Sequence, residues 1–247
     1  MPPKDIAVKT LANARRTLSL AGLTVAALCV GIAWIRVSAE ETGKPQSTPQ
    51  PHTKSVIGSK VADFVLPDTT GKQLALSDYS SKKAVVLFFM GTHCPISNLY
   101  STELNKLQKQ FAEQGLQLIG INANAGTTQA DIAKHVEEFN IEFHVLLDAD
   151  QRVAKRVGAT RTSEAFLLDQ HSIVRYHGRV DDRFGYTYKN KEPRRRDLTV
   201  AIDELLSGKP ITLAETEPRG CLITHAKTAD AHSDITYAKD ISRILQR

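Results

Sequence analysis

The sequence predicts an α/β domain in which helices flank a central mixed sheet, with a short β extension ahead of it. Apolar runs of strand length alternate along the chain with segments of helical periodicity. The last two strand patterns follow one another directly and are joined by a tight turn, after which a helical pattern closes the domain. Alternating βα units followed by a hairpin and a helix indicate a sheet with both parallel and antiparallel strands.

The first half of the domain begins with two short strands within residues 63–79, joined by a turn at DTTGK. The run AVVLFFM (84–90) is continuous and apolar, as a central strand covered on both faces requires. Pro95 then suits the first turn of a helix that Gly115 ends. Its predicted apolar stripe consists of Leu99, Leu104, Leu107 and Phe111.

The second half repeats this alternation. Strand patterns occupy residues 116–124, 143–148, 164–169 and 173–180, and helical patterns occupy 127–140, 151–158 and 194–208. The inward residues of the two longer helices are predicted to be Ile132, Val136, Phe139, Leu198, Ile202, Leu205 and Leu206.

The N-terminus has the features of a targeting segment. A basic region (1–16) precedes 19 uncharged residues (17–35), which could be a single-pass transmembrane anchor or the apolar core of a signal peptide. Val37 and Ala39 fit a signal-peptidase site, whereas Arg36 and the length of the run favour an uncleaved anchor; a buried core helix is the third interpretation. Residues 36–56 read as a linker. An uncleaved anchor would leave the globular part tethered to the cell membrane on its extracytoplasmic side, and a cleaved signal peptide would leave it secreted.

The positive charge does not indicate a nucleic-acid partner. Residues 1–39 carry a net charge of +4 out of the formal total of +5, so the rest of the chain is nearly neutral. No basic stripe with interleaved aromatic residues accompanies it.

Cys94 is the candidate catalytic residue, in the stretch GTHCPISN (91–98). If Pro95 is the first helical residue, Cys94 is the N-cap, where unpaired N–H groups and the helix dipole favour a thiolate over a thiol with a pKa of about 8.5. Ser97 would be the third helical residue, and its hydroxyl could donate to the thiolate. The alternative is an inert cysteine buried at a strand–helix junction.

Two spacings carry a family resemblance: D-F-x-L-x-D-x-x-G-K from Asp63 and FF-x-G-x-x-CP from Phe88. They resemble the redoxin or AhpC/TSA branch of the thioredoxin-like fold over residues 57–210. The resemblance implies a thiol oxidoreductase or peroxidase with antioxidant activity, acting on protein or small-molecule thiols or on peroxides. Gly91 stands where the peroxidase pattern has threonine, which favours general thiol exchange.

Two positions depart from the family pattern. Ser97 replaces the second cysteine of the usual pair, and Ser163 stands where related proteins have a cis-proline facing the cysteine. Because a cis bond before a non-proline residue costs about 3–4 kcal/mol, the Thr162–Ser163 bond is predicted to be trans. Ser97 and Ser163 together favour an alternative interpretation, in which the protein is a non-catalytic relative with an altered substrate-docking loop.

With Ser97 in place, Cys94 has three routes left open. It could form a mixed disulfide that an outside thiol releases, or a sulfenic acid resolved elsewhere. It could also pair with Cys221 in the tail, as a possible resolving cysteine. The loop at 179–197, rich in charged and aromatic residues, could cover the cysteine, bind a partner or simply connect two elements; Arg194–Arg196 could pair with Asp181 or Asp182.

The tail (211–247) resembles the junction at which a redoxin domain runs into a c-type cytochrome domain in bacterial multidomain proteins. That resemblance implies a cytochrome as a possible partner. The chain has no C-x-x-C-H haem-attachment motif, and its eight histidines show no metal-ligand spacing, so no cofactor and no metal is predicted.

Two functions are therefore in competition. The first is an envelope-located thiol oxidoreductase or antioxidant that uses Cys94 as its single active-site cysteine. The alternative is a non-catalytic redoxin scaffold that docks a cytochrome or another envelope protein.

Overall fold

The structure, a computed structural model, describes residues 55–185 and 188–225. The predicted basic region and anchor (1–16 and 17–35), nearly all of the linker and residues 226–247 lie outside the described residues. No helix in the described ranges has the length and apolar character needed to cross a bilayer.

Two short strands, β1 (Val65–Pro67) and β2 (Gln73–Ala75), open the domain and pair antiparallel, and a 3-10 helix (Leu76–Tyr79) follows them. The main elements in chain order are β3 (Ala84–Met90), α1 (Pro95–Phe111), β4 (Leu116–Asn122), α2 (Gln129–Glu138), β5 (His144–Leu147), α3 (Arg152–Val157), β6 (Glu164–Asp169), β7 (Val174–Gly178) and α4 (Asp197–Leu206). The predicted order of strands and helices is confirmed.

The five main strands form one mixed sheet in the order β5-β4-β3-β6-β7. Strand β3 lies at its centre, parallel to β4 with Phe88 opposite Gly120, and antiparallel to β6 with Phe88 opposite Ala165. Strand β5 continues the parallel side and β7 the antiparallel side. The carboxyl end of β3, where Cys94 follows, therefore lies in the middle of the sheet edge.

Every side chain of β3 is buried, which explains its unbroken apolar sequence. Alternate residues face opposite sides: Val86 and Phe88 pack in the cluster with α1, α2 and α4. Leu87 and Phe89 pack in the cluster with β1, β2 and α3. A strand with two apolar faces is the expected centre of a sheet covered on both sides.

One member of the predicted α1 stripe is wrong: Leu99 is 51% exposed. The buried stripe instead runs through Tyr100, Leu104, Leu107 and Phe111, whose spacing follows the i, i+4, i+7, i+11 pattern of one helix face. Leu99 is offset from Leu104 by five residues and therefore points away from that face.

Helix α4 begins at Asp197, three residues later than predicted. The preceding arginines do not form the expected ion pairs with Asp181 or Asp182. Asp182 instead accepts hydrogen bonds from the backbone N–H groups of Arg194 and Arg195, at 2.8 and 3.1 Å. The Arg195 side chain pairs with Asp197, and the Arg196 side chain pairs with Glu103. A helix that began at residue 194 would leave the N–H groups of its first turn without partners inside the helix. In the turn that is observed, Asp182 accepts hydrogen bonds from two of these groups.

Replacing Phe88 with alanine should lower the free energy of unfolding by about 3–5 kcal/mol, because the fully buried ring would leave a cavity between the sheet and α1. Leu99→Ala is the control, since a half-exposed leucine should change stability by no more than about 0.5 kcal/mol. Urea denaturation followed by circular dichroism measures both. Equal losses for the two variants would contradict the burial described.

Candidate thiol site

Cys94 caps the first turn of α1, as the sequence predicts. Its backbone is extended (φ −88°, ψ 111°), Pro95 is the first helical residue, and the Ser97 N–H donates to Cys94 Sγ at 3.5 Å. The side chain is 3% exposed. The sulfur thus takes the place that a serine or aspartate oxygen commonly fills at a helix N-terminus, where the helix dipole favours negative charge.

Cys221 lines the same cavity as Cys94, and each thiol shifts the pKa of the other. Both cysteines are free, Cys94 buried and Cys221 exposed. The residues that carry Cys221, 220–225, are named here the C-terminal strap. The structure therefore brings together two cysteines that stand 127 positions apart in the chain.

The strap is held on one side by the loop before β6. The Thr162 N–H donates to the Cys221 carbonyl at 2.8 Å, and the Ile223 N–H donates to the Thr160 carbonyl at 2.9 Å. These two bonds flank an antiparallel bridge between Arg161 and Leu222.

The strap is held on its other side by the loop after β4. The Ala125 N–H donates to the Thr224 carbonyl at 2.9 Å, and the Thr224 N–H donates to Asn124 Oδ1 at 3.0 Å. The Gln151 side chain adds a bond to the same Thr224 carbonyl at 2.7 Å, while Ile223 is 3% exposed within the core. Residues 220–225 are therefore part of the folded domain, although the sequence assigned them to a tail; the boundary predicted at 210 stays a prediction.

Two glycines permit the close packing of these loops. A Cβ on Gly220, whose φ is +150°, would lie 1.8 Å from the Thr162 carbonyl oxygen. A Cβ on Gly91 would lie 2.9 Å from both Thr162 Cγ2 and Asn124 Nδ2. Larger residues at either position would separate the strap from Cys94 or push the loop before β6 away from the helix N-terminus.

The surroundings shift the two thiols in opposite directions. Burial raises the pKa of Cys94, but hydrogen bonds from the Thr162 side chain, the Cys221 backbone, the Ser97 backbone and the Cys221 side chain more than offset it, so its pKa lies below the ordinary value. Burial also raises the pKa of Cys221, and the hydrogen bond and negative charge of Cys94 raise it further. Cys94 is therefore the more readily deprotonated thiol of the two.

A cavity of about 320 Å³ opens beside Cys94. Its walls come from the GTHC turn, the loop after β4, Thr162 and the strap, including Leu222 and Thr224. Residues of the loop at 179–197 do not line it within the described part of that loop. Phe184 instead packs edge-on against Tyr100, with ring centres 5.6 Å apart. The structure thus gives no support to that loop as a cover for the cysteine.

Ser97 does not donate its hydroxyl to the Cys94 sulfur, although the sequence indicates that it could. Its backbone N–H reaches the sulfur, whereas its buried hydroxyl accepts a hydrogen bond from the Gly91 N–H at 3.4 Å. Ser97 therefore links the turn before Cys94 to the first turn of α1. This geometry leaves the thiolate dependent on backbone groups and on Thr162 rather than on the Ser97 hydroxyl.

Ser163 lies directly after Thr162, whose backbone N–H and hydroxyl both donate to the Cys221 carbonyl, at 2.8 and 3.2 Å. The Thr162–Ser163 bond is trans as predicted, since none of the described peptide bonds is cis. Ser163 takes a positive φ of 70°, and its N–H donates to the Phe89 carbonyl at 2.6 Å. This left-handed residue turns the chain into β6 and leaves Thr162 facing Cys94.

Sequence reasoning did not identify Thr162 or Glu164 as site residues. Glu164 is buried, and its carboxylate accepts the N–H groups of Thr160 and Arg161, both at 2.8 Å. Its other oxygen contacts His177 Nε2 at 2.6 Å. The sequence signal that could have identified Glu164 is a carboxylate at the start of an otherwise apolar strand. In the structure, this carboxylate holds in place the loop that contains Thr162.

A mixed sheet of this strand order, with a low-pKa cysteine at the N-terminus of the helix after its central strand, defines a thioredoxin-like thiol protein. The AhpC/TSA family model matches residues 57–181, and the chain belongs to this family.

Named relatives and solved structures agree with this assignment. The chain is 29% identical over 123 residues to the thiol-disulfide oxidoreductase ResA of Geobacillus thermodenitrificans, covering 50% of this chain and 69% of that protein. ResA of Bacillus subtilis is 30% identical over 117 residues, covering 47% and 64%. The crystal structure of a hypothetical protein from Sinorhizobium meliloti superimposes with a TM-score of 0.66 at 31% identity, covering 71% of this chain and 97% of that one.

Replacing Thr162 with valine should raise the pKa of Cys94, because the hydroxyl that stabilises the thiolate is removed. A hydrogen bond to a charged group contributes about 1.5–3 kcal/mol, so the alkylation rate at neutral pH should fall roughly tenfold. Since the thiolate is the reactive form, the rate rises with pH through the pKa, and the variant should need a higher pH for the same rate. Iodoacetamide kinetics with peptide mapping of Cys94 measure the profile.

The matched control for this test is Thr160→Val, which makes the same change on the same loop. The Thr160 hydroxyl faces Glu164 at 3.5 Å. Its pH profile should follow that of the native protein. An unchanged profile for Thr162→Val would show that the Thr162 hydroxyl does not stabilise the thiolate.

Proposed function

We propose that the protein is a thiol–disulfide oxidoreductase in which Cys94 attacks and Cys221 resolves. The observation that carries the proposal is the placement of both cysteines on the wall of one cavity, with their pKa values shifted in opposite directions. The named thiol-disulfide oxidoreductases to which the chain is similar support the same class of reaction. The proposal replaces a single-cysteine site with a pair whose second member comes from the strap.

In the reductive direction, the Cys94 thiolate attacks one sulfur of a substrate disulfide. A mixed disulfide forms with Cys94, and the other substrate sulfur leaves as a thiolate that takes up a proton. Cys221 then loses its proton and attacks Cys94 Sγ, which forms the Cys94–Cys221 disulfide and releases the second substrate thiol. The substrate gains two electrons from the cysteine pair and two protons, one from Cys221 and one from solvent, because Cys94 reacts as a thiolate. An external thiol or dithiol restores the reduced pair by the reverse exchange.

The roles of the two thiols follow from their surroundings. A low pKa gives Cys94 the larger thiolate fraction and also makes it the better leaving group when the internal disulfide is reopened. Cys221 keeps its proton until the Cys94 charge has been neutralised by the mixed disulfide. Because the charge that raises the Cys221 pKa then disappears, the second attack becomes easier after the first has occurred.

The finer features of the function rest on the sequence. Residues 17–35 support an envelope location with a membrane tether or a secretion signal, and disulfide exchange suits an extracytoplasmic compartment. A hydroperoxide is a second possible oxidant: it would convert Cys94 to a sulfenic acid with release of the alcohol, and attack by Cys221 would form the same disulfide and water. The tail resemblance supports a c-type cytochrome as a redox partner.

A non-catalytic docking module remains the competing function, because one specific observation favours it. Ser97 and Ser163 replace the two residues that the family resemblance leads one to expect at a thiol-exchange site. If the scaffold only binds a cytochrome or another envelope protein, removing Cys94 should leave binding and phenotype unchanged. If it is catalytic, removing Cys94 should have the effect of deleting the protein.

Oxidation of the purified full chain with a small disulfide should produce a Cys94–Cys221 bond, because the two cysteines line the same cavity. In Cys221→Ser, the first exchange should continue and a mixed disulfide on Cys94 should accumulate, while turnover stops. In Cys94→Ser, neither species should form. Non-reducing peptide mapping by mass spectrometry identifies each product.

Cys29→Ser is the matched control, since it removes a cysteine remote in sequence from both members of the pair and should leave the internal disulfide intact. A Cys221→Ser variant that turns over at the native rate would remove Cys221 from the mechanism. A native protein in which Cys94 forms no disulfide with any partner would favour the docking module.

A further inference from the structure

The C-terminal strap occupies the surface through which Cys94 would otherwise meet another polypeptide. It contacts the loop before β6 through Thr162 and Thr160, and the loop after β4 through Asn124 and Ala125. These two loops lie on opposite sides of the strap, so residues 221–224 bridge the sheet edge that carries Cys94. With the strap in place, Cys94 is 3% exposed.

The hydrogen bonds of the strap use the backbone groups that an incoming chain would need. The Thr162 N–H and the Thr160 carbonyl both face the strap, and each already has a partner within it. An extended segment of another protein approaching Cys94 would have to displace Cys221 and Ile223 from these groups. Because Ile223 is buried in the core, displacement also requires withdrawing an apolar side chain into water.

The space that remains open is small. The cavity of about 320 Å³ beside Cys94 is at the lower end of the range found for small-molecule sites. Leu222, which is 62% exposed, lies on its wall together with Cys221 and Thr224. A compact disulfide fits such a space, whereas the backbone of a folded protein does not.

We infer that the strap is a substrate-size filter built into the site. Docked, it admits low-molecular-weight disulfides to Cys94; a disulfide in a folded protein reaches Cys94 only after residues 220–224 have detached. This inference rests on the proposed function, since it concerns access to the same thiol. It adds that the segment supplying the resolving cysteine also decides which substrates the thiolate meets.

Gly220 provides the means to detach the strap without altering either thiol. Alanine at this position would place a methyl group 1.8 Å from the Thr162 carbonyl oxygen, which is a backbone atom and not the flexible end of a side chain. Gly208 is the matched control, because it also has a positive φ (+69°) but has open space around the position of a Cβ. Both substitutions introduce a strained alanine, and only Gly220→Ala should displace the strap.

The test uses the full chain with Cys29→Ser and Cys221→Ser, so that Cys94 is the single thiol. Rates of Cys94 modification are measured with N-ethylmaleimide and with a maleimide attached to a 5 kDa polyethylene glycol. The ratio of the bulky to the small rate should rise at least about tenfold in Gly220→Ala, because it follows the population of the open form. Gly208→Ala should keep the ratio of the parent.

A second variant, Ile223→Asp, detaches the strap by a different route, since a carboxylate cannot stay in the apolar core. It should raise the same ratio, with circular dichroism confirming that the domain remains folded. If N-ethylmaleimide reacts readily and the ratio is the same in the parent and both strap variants, the size filter is overturned while the proposed function stands. If Cys94 resists N-ethylmaleimide in every folded variant but reacts after denaturation, the proposed function itself fails.

Discussion

The hydrogen bond from the Thr162 N–H to the Cys221 carbonyl is the contact on which the site depends. Cys94 is placed by helix α1, and Cys221 by a segment that follows the last helix, so neither element alone forms a pair. Thr162 joins them, because its amide and its hydroxyl both donate to the Cys221 carbonyl, at 2.8 and 3.2 Å, while its side chain lowers the pKa of Cys94. Glu164 stabilises this arrangement because its carboxylate accepts hydrogen bonds from the N–H groups of Thr160 and Arg161.

The chemical asymmetry of the pair follows from the same geometry. Cys94 receives N–H and O–H donors and lies at a helix N-terminus, so its environment stabilises negative charge. Burial raises the pKa of Cys221, and the neighbouring Cys94 raises it further, so Cys221 is the weaker acid of the two. Two cysteines of equal environment would compete for the role of nucleophile; in the proposed mechanism the difference in pKa assigns the attack to Cys94 before any substrate arrives.

Placing the second cysteine on a strap instead of at position 97 has structural consequences. Ser97 becomes available to link Gly91 to the helix start, and Ser163 turns the chain so that Thr162 faces the thiols. Gly220 and Gly91 permit this packing, because a Cβ would lie 1.8 Å from the Thr162 carbonyl oxygen at position 220 and 2.9 Å from the Asn124 and Thr162 side chains at position 91. In the proposed mechanism, the same close approach couples resolution and substrate selection in one segment.

The sequence by itself determined the local features of the protein. The strand and helix order, the central position of β3 and the capping role of Cys94 follow from apolar periodicity and from Cys-Pro at a helix start, which depend on neighbouring residues. Leu99 and the start of α4 were misjudged because exposure and helix onset depend on what packs nearby. Only the tertiary structure decided that Cys221 meets Cys94 and that Thr162 lies between them, because that contact joins positions 94, 162 and 221 through backbone hydrogen bonds, which leave no periodic trace in side-chain sequence.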